Sequence, residues 1–370
     1  MAASHGSVEV TKLLFKTEGV HPDWTDEAMG DVTPLNNAAR KGHQEVMKLY
    51  LADPRVAPGR FSQSGRNALI YAAQGHHPRI VELLLRDGRV DPLASGPGVP
   101  RPLQAAASGQ RDNTDVLRLL LGDLRVDVNG SDNDGITALH KATISCNPVH
   151  IRLLLDAGAD INKASESGHT ALHASCIRPT RFGDEVLALL LAAPSVDLNV
   201  RNREGKTVLM IVARLYHKVC GNNMASRLMN DNRLLPNIMD HTGKTALSIA
   251  ALNGADGCVR QLLALDGIDV NAGAERKQFV LHLAVESGYY ETVVEVMRDE
   301  RIYTMCRNKH GWTPFILAAA LGYTHILSLL HDTGRCISKD DVEDWKTAKN
   351  LADERNHGDT VVLLDEFLAA

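Results

Sequence analysis

Small apolar residues recur along this chain in short runs with helical spacing, and the runs come in pairs. The first run of each pair is short and rich in alanine, as in LNNAARKG from Leu35 and LSIAALNG from Leu247. The second is richer in leucine, as in EVMKLYL from Glu45 and RIVELLL from Arg79. Apolar residues three and four positions apart share one helix face. The pattern therefore predicts a succession of helical pairs, each with one face to bury.

The pairs return at a nearly constant interval. A threonine or its equivalent precedes each first helix, and successive markers are 33 to 38 residues apart. Ten markers hold this spacing: Thr33, Asn67, Arg101, Thr137, Thr170, Thr207, Thr245, Phe279, Thr313 and Thr347. A fixed period of this length is typical of repeat proteins.

Each period contains the same local signals. A glycine two residues before the marker turns the chain, and the threonine can cap the helix through its side-chain oxygen. Pro34 and Pro314 follow the marker directly, at the first helical position, where a proline costs no hydrogen bond. A glycine ends many of the first helices, and the unit closes with a piece such as RVDP, ADIN or IDVN.

The motifs G-x-T-A/P-L-x-x-A, V-x-L-L-L and A-D-I-N together resemble the ankyrin repeat. The resemblance covers nearly the whole chain and is strongest in the repeats that start at Gly135, Gly168, Gly243 and Gly311. The RVDP and RVDVN variants are similar to arrays common in fungi. The resemblance implies an all-α fold, an ankyrin-repeat α-solenoid of about ten stacked helix-turn-helix units with β-hairpin tips. One unit cannot bury its apolar face alone, so neighbours must stack.

The repeat boundaries predict three segments. Residues 1–30 read as a partial N-terminal repeat, 31–344 as the repeat array, and 345–370 as a C-terminal capping repeat with a polar outer face. The first 30 residues match only the end of a first helix and a second helix. Either the array is open at that end, or the sequence is a piece of a longer protein.

Composition and charge narrow the class of partner. The formal net charge is -5, which gives no general electrostatic reason to bind nucleic acid or anionic lipid. The sequence has no signal peptide and no run of 18 apolar residues. The six cysteines have neither disulfide-scaffold nor zinc-ligand spacing, so we expect reduced thiols and an intracellular protein, cytoplasmic or nuclear. We expect a monomer with no nucleic-acid or membrane partner, no cofactor and no metal.

The sequence offers only weak candidates for catalytic, metal-binding or modified residues. His140, His173 and His282 occupy one repeat position, which favours a structural imidazole that bonds to backbone between units. The D-D-x-x-D spacing in Asp340–Asp344 is used elsewhere to bind magnesium, but a solvated turn explains it better. No phosphate loop, nucleophile elbow or H-E-x-x-H pair is present, so we predict a protein that is not an enzyme. The closing asparagines are either hydroxylation sites or turn residues, and we favour turns: Asn129, Asn162, Asn199 and Asn271.

Resemblance to the family implies a concave groove lined by the tips and first helices, in which a partner protein or peptide binds. The middle residue of G-x-T points there, and this row consists of Arg66, Ile136, His169, Lys206, Lys244 and Trp312. The row turns basic in the C-terminal half. We predict that an acidic or mixed segment binds there, with Trp312 as its anchor. The predicted contacts are Arg203, Lys206, Arg214, His241, Lys244, Phe279, His310 and Trp312. Ordinary solvated charge, with Trp312 packed over a neighbouring tip, is the alternative.

Two other functions stay open. Three units carry extra residues between their helices, and the unit from Gly205 to Thr242 departs most from the pattern. An atypical enzyme or small-molecule binder would place its pocket there, at about 170–240, around His217, Cys220 and Asp231. The chain is otherwise a fragment of a multi-domain sensor, in which the array positions other domains.

Overall fold

The computed structural model describes residues 2–25, 30–109, 114–177, 183–215, 221–273, 279–337 and 341–369. Within these ranges the secondary structure is helical, and the 22 helices follow one another in pairs. The chain divides into two compact units: unit 1 is Met1–Val196 and unit 2 is Asp197–Ala370. The predicted division at residues 30 and 344 rests on repeat boundaries and stays a prediction.

Unit 1 contains six helical pairs. They are α1 (Ala2–His5) and α2 (Val8–Lys16), α3 (Pro34–Lys41) and α4 (Gln44–Ala52), α5 (Ala68–Gln74) and α6 (Pro78–Asp87), α7 (Pro102–Ala107) and α8 (Asp115–Leu121), α9 (Ala138–Ile144) and α10 (Pro148–Asp156), and α11 (Ala171–Ile177) and α12 (Gly183–Leu191).

Unit 2 contains five helical pairs. They are α13 (Val208–Leu215) and α14 (Gly221–Met229), α15 (Ala246–Leu252) and α16 (Asp256–Leu263), α17 (Val280–Ser287) and α18 (Tyr290–Met297), α19 (Pro314–Leu321) and α20 (Thr324–Asp332), and α21 (Val342–Glu354) and α22 (Gly358–Ala369).

The threonine markers cap the first helices, as the sequence predicted. Thr33, Thr245 and Thr313 precede α3, α15 and α19, and each side-chain oxygen accepts a hydrogen bond from the N–H three residues later. Asn67 caps α5 in the same way. These bonds satisfy N–H groups that have no partner within the helix, which fixes where each first helix begins.

The last marker was assigned wrongly. Thr347 lies inside α21, where its hydroxyl donates to the Glu343 carbonyl at 2.8 Å, and the helix begins at Val342 instead. The early start buries Trp345, whose ring packs edge-on against Phe315 with centroids 5.1 Å apart. Burial of this large aromatic side chain stabilises the extra turn of α21. The spacing of the repeat markers could not predict this contact.

Neighbouring repeats stack helix on like helix. In unit 2 the first helices pack in the order α13, α15, α17, α19 and α21, and the second helices pack in the order α14, α16, α18, α20 and α22. Alanines such as Ala250, Ala251 and Ala319 are fully buried between them. Small side chains let the helices approach closely, so each repeat buries its apolar face only against its neighbours.

The tips between repeats are tight turns. In the tip at 202–206 the N–H of Asn202 donates to the Lys206 carbonyl at 3.0 Å, and that of Gly205 donates to the Asn202 carbonyl at 2.8 Å. The tips at 240–244 and 308–312 repeat both bonds. The hairpin shape is as predicted, but five residues are too few for strands. In the ranges described, bridge pairing is confined to Ser131 with Thr137.

Two side-chain ladders tie successive repeats together. The Asn199 amide donates to the Arg233 carbonyl at 2.8 Å and accepts from the Leu235 N–H, and Asn271 makes the same two bonds with Arg301 and Tyr303. Asn129, Asn162 and Asn237 also donate to the next repeat. The closing asparagines are therefore bridges between repeats, which goes beyond the turn role that the sequence predicted.

The second ladder is made of arginines in D-x-R turns. The Arg301 guanidinium pairs with Asp299 at 2.6 Å and donates to the Leu263 carbonyl of the previous repeat at 3.2 Å. Its hydrogen bond holds the pKa of Asp299 below the ordinary value. Arg89 and Arg125 make equivalent backbone contacts in unit 1. Arg89 and Arg125 begin the repeat-closing segments RVDP and RVDVN, and the sequence pattern did not predict these contacts.

Candidate functional site

The candidate surface lies on the tips of unit 2. Three tips are within the described ranges, at 202–206, 240–244 and 308–312. The first two are in direct contact, because the N–H of His241 donates to the Glu204 carbonyl at 3.2 Å. The carboxylate of Asp240 is buried and accepts from the Thr242 hydroxyl and from the N–H groups of Thr242 and Lys244. Burial alone would raise its pKa, but these bonds outweigh burial and lower it.

The charge left on this surface is mainly positive. Arg203 and His241 are exposed, and Lys206 and Lys244 are partly exposed. Lys206 forms an ion pair with Glu204, whose side chain is 67% exposed. Asn202 and Asn308 replace an acidic residue at the position of Asp240, so two of the three tips carry no carboxylate there. The structure thus brings four of the predicted basic residues onto two neighbouring tips.

Trp312 is half-buried at the third tip. Its ring lies 5.2 Å from the His310 ring, and the Arg355 guanidinium covers it at 5.5 Å from the centroid. Arg355 in turn donates to the Ala320 carbonyl, which fixes its position. Arg355 belongs to the segment 345–370, for which the sequence predicted a polar outer face, and this contact was not predicted. The tryptophan is held in one orientation with part of its surface open to solvent.

Phe279 and His282 sit behind this tip. The Phe279 ring packs against the His282 imidazole with centroids 5.5 Å apart, and His282 Nε2 donates to the Trp312 carbonyl at 2.8 Å. Burial lowers the pKa of His282 despite this bond, so the ring is neutral at pH 7. His140 bonds to the His169 carbonyl in the same way at 2.9 Å. The predicted structural role of the histidine position is confirmed for His140 and His282.

Replacing His282 tests this role, because the chain supplies its own isostere. Gln104 occupies the same repeat position in α7 and donates from Nε2 to the Ile136 carbonyl of the next tip. We expect His282→Gln to keep most of the stability and His282→Leu to lose about 1 kcal/mol. A neutral buried histidine stabilises the fold fully above about pH 6.5, its unfolded pKa, and progressively less below it. His282→Gln should therefore flatten the loss of stability as the pH falls below about 6.5, as measured by urea denaturation. An unchanged pH profile would contradict this role.

Arg214, one of the predicted contacts, is not brought to the tips. Arg214 is exposed near the far end of α13, about 10 Å along the helix from its start. Arg307 donates to the Gly311 carbonyl and pairs with the buried Asp344 at 2.8 Å, so it braces its own tip. Arg276 and Lys277, which lie between Lys244 and Trp312 in the sequence, are outside the described residues.

The alternative centre at 170–240 is described only in part. His217 and Cys220 lie outside the described residues, and Asp231 is engaged in an ion pair with Arg233 at 2.6 Å. That pair lowers the pKa of Asp231, which suits a structural carboxylate. A surface groove that the structure does show lies elsewhere, between α6 and α8, and its lining includes Glu82, Arg86 and Arg118.

The described ranges hold no cluster of three His, Cys, Asp or Glu side chains placed to bind a metal ion. In the D-D-x-x-D motif, Asp344 is committed to Arg307, and Asp340 lies outside the described residues. Cys176, Cys258 and Cys336 are buried free thiols, and burial raises the pKa of each to about 12. Such thiols are unreactive at neutral pH.

Comparison with known families settles what the repeats are. A family model described as ankyrin repeats matches three times, at residues 1–94, 103–202 and 177–274. Together these matches cover well over half of the chain. This chain belongs to the ankyrin repeat family. Its stacked helical pairs are an ankyrin-repeat α-solenoid, and ankyrin repeats are in general protein–protein interaction modules.

The relatives of this ankyrin protein are diverse. It is 23% identical to human transient receptor potential cation channel subfamily A member 1, over 92% of this chain and 36% of the channel. It is 31% identical to the mouse B-cell lymphoma 3 protein homolog, over 56% of this chain and 44% of that protein. The chain thus spans less than half the length of either relative.

Among solved structures, the ankyrin repeat domain of Bcl-3 matches 57% of this chain at 24% identity with a TM-score of 0.47. The human ASB11 ankyrin repeat domain matches 56% at 22% identity, also with a TM-score of 0.47. In the described part of the chain, no helix has both the length and the apolar character needed to cross a bilayer.

Proposed function

We propose that this ankyrin protein is a non-catalytic scaffold that binds an acidic segment of a partner protein along the tips of unit 2. The observation that carries the proposal is the pairing of a basic surface with a fixed aromatic ring. Arg203, Lys206 and Lys244 supply the charge on two adjacent tips, and Trp312 supplies the ring two repeats further on.

The tips can exchange their internal contacts for a partner at little cost. The pair between Lys206 and Glu204 is solvent-exposed on the Glu204 side. An exposed ion pair contributes about 0–1 kcal/mol, so a partner carboxylate replaces Glu204 easily. The Asp240 carboxylate does not compete with a partner carboxylate for Lys206 and Lys244, because it is buried and bonded within its own tip. Complementary charge of this kind raises the association rate and selects partners by sign.

The spacing of repeats sets the length of the occupant. First helices pack at about 8–10 Å from axis to axis, so Lys206 and Trp312, three repeats apart, are separated by about 30 Å. An extended chain covers about 3.3 Å per residue, which gives an occupant of about nine residues. We propose an acidic segment of this length with an apolar residue at the end that meets Trp312.

We further propose that the protein is an intracellular monomer. Its free thiols support a reducing compartment, since Cys176, Cys258 and Cys336 are buried and unpaired with one another.

Affinity capture from an extract of the source cells tests the scaffold function. The intact chain is compared with the double variant Lys206→Glu/Lys244→Glu, which reverses the charge of both tips. We expect at least one protein with an acidic segment to be retained by the intact chain and lost from the double variant. Binding should also weaken as salt is raised, because the contacts are exposed to solvent.

A matched control carries the same charge change elsewhere. Lys12 and Lys48 are about half exposed on second helices of unit 1, each in an exposed ion pair. The variant Lys12→Glu/Lys48→Glu should retain the same partner. If both double variants lose it equally, or both keep it, the tips of unit 2 are not the binding surface.

A further inference from the structure

A second surface, in unit 1, carries an unusual group of polar side chains. It is the tip at 62–66, with the sequence S-Q-S-G-R, together with Tyr71 of α5. The hydroxyls of Ser62, Ser64 and Tyr71 form a triangle, with Ser62–Ser64 at 2.9 Å, Ser64–Tyr71 at 3.1 Å and Ser62–Tyr71 at 3.3 Å. Ser62 and Tyr71 are buried, whereas Ser64 is exposed.

The triangle has fewer protons than contacts. The Ser62 hydroxyl donates to the Arg66 carbonyl at 3.1 Å, so its proton is already used. Two protons, from Ser64 and Tyr71, are then left for three edges. When the Ser64 proton turns outward, Tyr71 can still donate to Ser62, and the two edges that join Ser64 then carry no proton. Ser64 is therefore a donor that can serve a ligand without leaving a buried hydroxyl unsatisfied.

Arg66 places a guanidinium group on the same tip. Its Nε is buried and has no hydrogen-bond partner. Burying a guanidinium nitrogen without a partner is unfavourable, and a small reorientation of the partly exposed Arg66 side chain would let a ligand oxygen remove that cost. In three other tips the side chain at this position contacts the one two residues before it: His169 with Ser167, Lys206 with Glu204, and Trp312 with His310. By analogy with these tips, we expect the Arg66 side chain to lie beside Ser64, which precedes it by two residues.

The tip at 165–169 shows the same arrangement with the serine hydroxyl bonded within the tip. Residues 165–169 have the sequence S-E-S-G-H, with the same Ser165–Ser167 contact at 2.9 Å. There the Ser167 hydroxyl bonds to His169 Nδ1 at 2.9 Å. In the 62–66 tip the corresponding basic residue is an arginine, which cannot accept a hydrogen bond, so the Ser64 proton has no equivalent partner.

The neighbouring charges do not occupy Arg66. Asp31 on the adjacent tip accepts from the Thr25 hydroxyl at 3.1 Å and from the Gln63 amide at 3.3 Å. Arg60 donates to the Asp23 carbonyl and to Thr25. Phe61, beside the cluster, is 37% exposed and offers an apolar contact to residues that flank a bound group.

We propose that the tip at 62–66 binds a phosphoserine or phosphothreonine side chain of a partner protein, with the Arg66 guanidinium and the Ser64 hydroxyl as donors and Tyr71 positioning Ser64. A phosphoryl group has three terminal oxygens, which matches a forked guanidinium and a hydroxyl better than the two oxygens of a carboxylate. The site is open to solvent at Ser64, so the phosphoryl group is one end of a longer segment, consistent with the protein-binding character of the family. This surface is separate from the tips of unit 2 and does not depend on their function.

A degenerate peptide library with a central phosphoserine provides the test. The best-retained phosphopeptide is labelled and titrated by fluorescence anisotropy at constant ionic strength. We expect the unphosphorylated and glutamate versions to bind at least tenfold more weakly. Arg66→Gln should weaken binding by about tenfold or more, the range of a charge-assisted hydrogen bond, and Ser64→Ala by several-fold. Arg66→Lys, which keeps the charge but loses the fork, should fall between wild type and Arg66→Gln.

The control is Arg79→Gln, which removes an arginine that is 76% exposed on α6 of the same unit and should leave binding unchanged. Circular dichroism confirms that each variant is folded. The proposal is overturned if Arg66→Gln and Arg79→Gln behave alike, if the glutamate peptide binds equally well, or if inorganic phosphate binds as tightly as the selected phosphopeptide.

Discussion

Gly254→Ala should destabilise unit 2 by about 2–3 kcal/mol. Gly254 follows α15 with a φ of +72°, and a Cβ there would lie 2.1 Å from Cδ2 of Tyr289. The left-handed conformation costs an L-residue about 1–2 kcal/mol, and displacing the Tyr289 ring, which is 57% exposed, adds about 1 kcal/mol, the low end for overpacking. Urea denaturation in a Trp24→Phe background measures the effect, because the remaining tryptophans, Trp312 and Trp345, both report on unit 2.

Gly267 separates the two causes. Its φ is +73°, but an added Cβ would meet nothing within 4 Å. Gly267→Ala should therefore cost only the about 1–2 kcal/mol of the backbone conformation. Adding Tyr289→Ala to Gly254→Ala should recover part of the loss, since it removes the ring that the Cβ strikes. Equal losses for Gly254→Ala and Gly267→Ala would show that the ring contact has no energetic weight.

Trp312→Ala should weaken binding of the captured partner by about thirtyfold, which corresponds to about 2 kcal/mol. Trp312 is the aromatic ring of the unit 2 tips that is both partly open and held in place, by His310 and Arg355. Such a ring loses little entropy when a partner covers it. Trp312→Phe should lie between wild type and alanine. Isothermal titration calorimetry gives the affinities, and circular dichroism shows whether loss of the Arg355 contact disturbs the fold.

Trp24 provides the matched control for Trp312. It is 68% exposed in unit 1, remote in sequence from the unit 2 tips. Trp24→Ala should leave the affinity within about twofold of wild type. An equal loss for both tryptophan variants would point to general apolar stickiness, and no loss for Trp312→Ala would remove the anchor from the account.

The fold was predictable because local sequence signals mark the boundaries of each repeat. Threonine caps, glycine turns and paired apolar runs act within about ten residues, so Thr33, Thr245 and Thr313 were placed correctly as caps. Thr347 was not, because the start of α21 depends on the burial of Trp345 against Phe315 in the preceding repeat. The spacing of the markers reflects the features that all repeats share, whereas the contact between Trp345 and Phe315 occurs at one place in the array.

The site was predictable only in outline. The G-x-T position indicated that Lys206 and Lys244 lie on neighbouring tips, and their role in binding stays a prediction. It could not show that Arg307 pairs with Asp344 or that Arg355 covers Trp312. Those contacts join residues 37 and 43 positions apart, respectively, across repeats. The signal that would have found the arginine ladder was present as D-x-R, repeated at Asp53, Asp87, Asp123, Asp231 and Asp299.

Hydrogen–deuterium exchange of the isolated complex tests the central claim most directly. The account predicts that the captured partner slows amide exchange in residues 202–206, 240–244 and 308–312, and leaves the second helices α14, α16 and α18 unchanged. It also predicts a protected segment of about nine residues in the partner, with net negative charge. Protection confined to the second helices of unit 2, or to a basic segment of the partner, would contradict a scaffold that works through these tips.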